Sequence, residues 1–515
     1  MKNPILDIID GVDSIGDAGS FSLPMNTPVL EKIDHSQFER LTAQESFTIL
    51  GQARKIDLIE QLITERVKAH LGHEVAVVTE ELLSKGETSS EDEIHKLADS
   101  RLQKLDIQEI RFSDKRRNLI VGKGSGRSAA YTIMIPAHVD TFRLKKKSFP
   151  KELLTLQQDP LESDRMRGHG VWDMGAAVLN NVALAADVRV PDGMQIYFVF
   201  TVDEEADSIG AKAMIKHWPA WHDVDLVLSS EIGPLSDIPG EGDTAMRYIL
   251  ARRGRRKMRG RIKIAKEYRG HGAVSNVPNA REALYEWAHY AKQRFNESVM
   301  VGGKVLPPLQ KKHPLLPEEK LDFGGGKTLG KPEGQGHPNL EEFDLHVQTV
   351  PPSTLASVLA DQIAVFNELK QRGEWARYGI SNRLRSFPGT SYPPYSMPID
   401  LGTGVPLPHT AVTIVQNILR NVSGMEPVAA GANSNADECL YAHAMLKALE
   451  EKTGTYTFEG TNKGVITLPI IGNKAHNLRE WVSWSDTARV RQALKMLIED
   501  PSGFCLLGGK RQNSA

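Results

Sequence analysis

The chain has 515 residues, 40% hydrophobic and 25% charged, with 63 Lys and Arg against 65 Asp and Glu and a formal net charge of −2. That length exceeds what one hydrophobic core covers, so two or more domains are expected, and so even a charge balance gives no overall pull toward nucleic acid or a membrane surface. No apolar run reaches the roughly 20 residues that span a bilayer, and the two cysteines, Cys439 and Cys505, stand in no metal-ligand spacing, which excludes a disulfide scaffold and points to a reducing, cytoplasmic setting.

Residues 1–40 read as an irregular leader whose acids stand where a signal peptide needs a basic start and an apolar core, so export is not expected. A helix follows, with Ile56, Ile59, Ile63 and Val67 at helical spacing. Short apolar runs then alternate with helical segments. The runs are Tyr131–Ile135, Ile196–Val202 and Leu226–Leu228, and the helices start near Gly175 and Ser208. This alternation predicts an α/β sheet that is largely parallel. From about residue 245 the character changes to a basic stretch, a helix starting near Asn279, and a Pro- and Gly-rich segment from Gly302 to Pro338 that reads as a long loop. A strand over 343–350 and a helix over 354–370 complete this unit. After about 400 the α/β pattern returns, with helices over 409–422 and 437–451 and a strand over 465–470. A last helix carries Val490, Ala493, Leu494, Leu497 and Ile498 as one apolar stripe. The expected plan is a leader (1–40), a main domain built from 41–244 and 399–515, and an inserted domain at 245–398.

The apolar strands end in metal-competent side chains. The first runs into His138 and Asp140, the second into Asp203, Glu204 and Glu205, the third into Glu231, and the late strand into a loop bearing His476. Asp173 sits in a glycine-rich turn, GHGVWDMGAAV, that enters a helix. Ligands of open α/β sheets bind outside the carboxyl ends of the strands, where these residues fall. Neutral imidazoles and carboxylates suit Zn²⁺, Mn²⁺ or Co²⁺. Asp140, two residues after His138, is expected to hydrogen-bond the far ring nitrogen and fix its tautomer. Adjacent acids on a strand end point in different directions, so Glu204 and Glu205 are expected to divide the work, one as general base and one as ligand.

The order of HxD, an acid in a glycine-rich turn, EE, a single E and a late H resembles the M20 metallopeptidase family of peptidases, deacylases and amidohydrolases. TVDEEADSIGAKAM and GHGVWDMGAAV are similar to two of its motifs, and the likeness covers most of residues 43–500. It implies a phosphorylase/hydrolase-like α/β catalytic domain with a mostly parallel sheet flanked by helices. It also implies an inserted α+β ferredoxin-like lid, through which the chain forms a homodimer. Two divalent ions are implied, with Asp173 as the shared carboxylate, His138 and Glu231 on one ion, Glu205 and His476 on the other, and Glu204 as general base. In EYRGHGAVSNVPNA the resemblance implies that His271 reaches a partner subunit's active site and donates to the oxyanion, with Asn279 as a nearby substrate contact.

This sequence departs from the family pattern at several positions. Gly175 stands where Lys is usual, and His169 and Trp172 replace common residues. Asp344-Leu345-His346 replaces D-x-R, and Glu438 stands where Arg often does, so recognition of an anionic substrate group is expected to be disfavoured there by like-charge repulsion. The implied activity is hydrolysis of an amide or related C–N bond in a small substrate. One rival is a single-metal amidohydrolase or deaminase acting on an atypical, for example aromatic, amine. A non-catalytic scaffold is another, and it leaves Glu204 without a reason. The basic run from Arg252 to Arg259 lacks interleaved aromatics and reads as a solvated or interface face, not a nucleic-acid site. FGGGKTLG has Leu321 where a phosphate loop needs its first glycine, which excludes nucleotide binding there.

Overall fold

The computed structural model describes residues 34–86, 88–143, 155–232, 246–264, 279–323, 327–328, 340–371, 375, 380–386, 391–477 and 479–499. Two helices open it, α1 (His35–Ala43) and α2 (Ile49–Ser84). The end of the expected leader is therefore helical. Asp34 caps α1 by accepting from the Gln37 N–H, and Phe38 and Leu41 are buried. On α2 the residues Ile56, Ile59 and Ile63 are buried as the spacing predicted.

The chain then lays down β1 (Asp106–Ser113), β2 (Arg116–Gly124), β3 (Tyr131–His138), α3 (Ala176–Asp187), β4 (Met194–Thr201), α4 (Ile209–His217), β5 (Leu226–Ser229) and β6 (Arg247–Arg252). A second unit follows, made of β7 (Gly254–Lys263), α5 (Ala280–Asn296), β8 (Lys320–Phe323), β9 (Leu340–Thr349), α6 (Leu355–Lys370) and β10 (Ser381–Ser386). The chain returns to the large sheet with β11 (Tyr395–Ser396), β12 (Val428–Ala432) and β13 (Gly464–Thr467); α7 (Asp437–Thr453) packs on it, and α8 (Trp484–Glu499) packs on α3.

The large sheet has the order β1-β2-β4-β3-β5-β13-β6-β11, with β12 beside β6. Its central strands β4, β3, β5 and β13 run parallel. β3 and β4 are buried along their whole length, which is why they read as unbroken apolar runs. α3 is buried at every position from Ala176 to Ala186, held between the sheet and α2 and α8. On α8 the stripe Val490, Ala493, Leu494, Leu497 and Ile498 is buried, and each large member contributes roughly 1.5–3 kcal/mol.

The second sheet is antiparallel in the order β8-β9-β7-β10, with α5 and α6 packed on it, a βαββαβ arrangement of ferredoxin-like type around its own core of Met258, Ile262, Trp287, Phe343 and Leu345. The Pro- and Gly-rich segment is not one long loop. It contains a hairpin of Val299–Val301 with Lys304–Leu306, and then β8. Gly302 and Gly303 form the hairpin turn at φ 56° and 79°, where an L side chain is disfavoured. Among the described residues no helix is long and apolar enough to cross a membrane.

Candidate metal centre

Parallel register sets the centre. His138 ends β3 opposite Thr201 at the end of β4, and Thr467 of β13 pairs with Ser229 of β5. The segments that leave these strand ends carry Glu204, Glu205, Glu231 and His476 to one place. His138 Nε2 lies 3.0 Å from Asp173 Oδ1 and 3.6 Å from Glu231 Oε2. His476 Nε2 lies 3.0 Å from Asp173 Oδ2 and 2.8 Å from Glu205 Oε1. The donor atoms thus form two groups able to hold a metal ion, His138-Asp173-Glu231 and Asp173-Glu205-His476, and both use Asp173.

The donor chemistry fits divalent cations. Burial pushes the Glu231 carboxyl up to about 8 and also raises Glu205, while the half-buried Glu204 is raised well above its usual range by burial and then by Asp437, Glu231 and Glu205. Burial pushes both imidazoles down, yet neighbouring carboxylates reverse it, lifting His476 to about 10 and His138 well above its ordinary value. So much negative charge gathered in one place raises proton affinity, and the same donors, once deprotonated, suit divalent cations.

The supports of these ligands are specific. The Asp140 carboxylate accepts the N–H groups of Glu204 and Glu205, each at 3.0 Å. His138 Nδ1 donates instead to the Asp140 carbonyl at 3.0 Å, with the carboxylate at 3.6 Å. Asp140 thus faces both ways: its carbonyl accepts the ring N–H, and its carboxylate raises His138 while anchoring the two glutamates. Asp203, at φ 56°, is held in that unfavourable conformation by Gln52 of α2 and by Arg116. His476 is also left-handed, at φ 62°, and its ring stacks on Phe142 at 4.4 Å.

Glu480 was not anticipated from the sequence. It is buried and accepts the N–H groups of Gly170, Trp172 and Asp173 at 3.0, 2.9 and 3.0 Å, so it shapes the turn that presents Asp173. An acid four positions past His476 is its only mark in the sequence. Glu480→Gln leaves one carbonyl oxygen for three donors. We expect metal affinity to fall roughly 10- to 100-fold with the fold retained, measured by metal titration alongside circular dichroism; unchanged affinity would rule out this support.

The profile of peptidase family M20/M25/M40 matches residues 134–500. The chain belongs to this family. As an M20 protein it is a hydrolase acting on peptide or amide C–N bonds. Aminopeptidase PepT from Bacillus cereus is a similar solved structure, at 12% identity and a TM-score of 0.57 over 90% of this chain and 96% of that one. A tripeptidase from Staphylococcus aureus has 12% identity and a TM-score of 0.54, with 92% and 97% covered. A dinuclear metal-binding M20 peptidase from Bacillus subtilis has 11% identity and a TM-score of 0.52, with 92% and 99% covered. At these identities the likeness is one of fold. Among curated proteins none matches the chain.

The departures of this M20 chain from the family pattern have structural reasons. A Cβ on Gly175 would stand 2.4 Å from the Gly170 carbonyl, so the turn leaves no room for a side chain there. Trp172 donates its indole N–H to the Ile470 carbonyl at 2.7 Å and seats the Asp173 turn against the segment after β13. His169 is buried, and burial pushes it down to about 4. Glu438 is 1% exposed, lies 3.5 Å from the buried Arg252 and accepts from Thr467 Oγ1 at 3.2 Å, so its charge has a buried counter-charge while still raising Glu231. Arg252→Met would strand that carboxylate beside Glu231, and we expect a loss of about 3–5 kcal/mol in denaturant unfolding, largely recovered by adding Glu438→Gln. Asn279 caps α5, its side chain accepting the Glu282 N–H at 2.8 Å. His271 lies outside the described residues, as does most of FGGGKTLG.

Proposed function

We propose that this M20 chain holds two divalent ions side by side and cleaves an amide bond of a small substrate, with Glu204 as general base. The supporting observation is the Asp173 carboxylate, whose two oxygens each lie 3.0 Å from a different imidazole, those of His138 and His476. A carboxylate placed in this way favours two ions over the single-metal alternative. His138 and Glu231 complete one ligand set, and Glu205 and His476 the other. Bound there, Zn²⁺, Mn²⁺ or Co²⁺ supplies Lewis acidity and lowers the pKa of water.

The chain's own residues do the rest. Glu204, made more basic by burial and neighbouring acids, accepts a proton from the attacking water and delivers it to the leaving nitrogen. Asp140 fixes the position of Glu204 through its backbone N–H. The test is to strip the protein with chelator, reload it with Mn²⁺, Co²⁺ or Zn²⁺, and assay release of free amine from tripeptides, dipeptides and N-acyl amino acids. Metal-dependent release from one of these classes is expected. Inactivity toward all of them with every metal would sink the reading.

A further inference from the structure

The second sheet has two unlike faces. Burial alternates along β7 and β9, so Met258 and Ile262 join the core while Arg255, Lys257, Arg259 and Arg261 project from the other, partly open face. Across from them on β9, in register, stand Gln348, His346, Asp344 and Glu342. Away from the large sheet the charges are matched. Arg259 bonds Asp344 at 2.8 Å and Arg261 bonds Glu342 at 2.8 Å. At the other end they are not, because among the described residues neither Arg255 nor Lys257 has a carboxylate partner.

That unmatched end adjoins the metal centre. Arg255 and Tyr392 exchange backbone hydrogen bonds at 2.8 Å, and the guanidinium lies 5.9 Å from the Tyr392 ring. The Tyr392 hydroxyl lies 3.0 Å from Ser208 Oγ, and Ser208 N–H donates to the Glu204 carbonyl at 3.0 Å. Lys257 feels the charge of Asp207, on the same turn as Glu204 and Glu205. His346, facing Lys257, is pushed down by burial and then by Lys257 and Arg255, as a locally positive surface requires. Two half-buried cations with no carboxylate in ion-pair contact among the described residues carry a desolvation cost that an arriving anion offsets.

We infer that Arg255 and Lys257 form an anion subsite of this centre, holding a carboxylate or phosphate at the non-reacting end of the substrate. Its place in the reaction rests on the hydrolase reading, whereas its binding of anions does not. Glu438, on which the expectation that anionic groups are disfavoured partly rests, is a separate group that faces the buried Arg252 at 3.5 Å.

Glutarate and inorganic phosphate, titrated by calorimetry into the full chain stripped of metal, test the subsite without requiring catalysis. The unaltered chain is expected to bind one of them, which names the anion. Arg255→Gln and Lys257→Gln should each weaken that binding roughly 10- to 100-fold, the loss of one charge-assisted contact, while Lys257→Arg retains it. Binding of neither anion, or binding that both Gln variants leave intact, overturns the subsite. A second arm gives the metal-loaded chain matched amides ending in a carboxylate, a phosphate, a neutral amide or an ammonium. A lower KM for an anionic end, shrinking in both Gln variants, supports the subsite. Hydrolysis without that preference overturns it and leaves the hydrolase reading standing. If none is hydrolysed, only the hydrolase reading suffers, and calorimetry still decides the subsite.

Discussion

Asp173→Ala is expected to empty both ion positions together, whereas His476→Ala empties one. The reason is geometric. Asp173 belongs to both groups of donors, while His476 belongs to one, with Glu205. Elemental analysis after dialysis against a limiting divalent ion should therefore give a stoichiometry near zero for the first variant and near one for the second, against two for the unaltered chain. Activity should fall by on the order of 10³-fold or more in Asp173→Ala, since several kcal/mol of charge stabilisation is lost. The alanine also removes one carboxylate from a crowded acidic site, so the folded chain should persist. Two ions still bound to Asp173→Ala would remove the shared-ligand assignment, and equal stoichiometry in the two variants would return the single-metal alternative.

How far the sequence reaches follows from which signals are local. β3, β4 and β5 were legible because strands buried on both faces must be apolar throughout, and the acids and histidine just beyond them stand out against such runs. The alternating burial of β9 produced an equally plain strand signal over 343–350. Glu480 gave no such signal. Its three partners lie some 310 positions away and are backbone N–H groups, which carry no sequence identity. The same holds for the second duty of Asp140, whose hold on two N–H groups depends on where another strand end arrives. Glu438 on α7 is a related case, since the arginine that faces it, Arg252, ends β6 of the large sheet far earlier in the chain. The helix at His35–Ala43 is short, so its two buried apolar residues, Phe38 and Leu41, made too brief a stripe to read. In the 302–338 segment the glycines signalled a turn correctly, but the density of Pro and Gly around them hid the three-residue strands on either side.

Glu204→Gln separates proton transfer from metal binding. The carboxyl stands outside both donor groups, its neighbour Glu205 belongs to one of them, and Asp140 holds the two residues by separate N–H contacts at 3.0 Å. An amide in its place keeps size and shape but cannot take a proton. We expect kcat to fall roughly 10²- to 10⁴-fold, the usual worth of a positioned general base, with two ions still bound. Glu205→Gln should differ in kind, weakening the ion shared with His476 and giving activity that added metal restores in part. Metal titration and kcat measured on the same preparations compare the two. Full activity in Glu204→Gln would refute the base assignment, and loss of an ion from it would move Glu204 into the ligand set. Only the combination of retained metal and lost turnover fits a base that touches the reacting water and no cation.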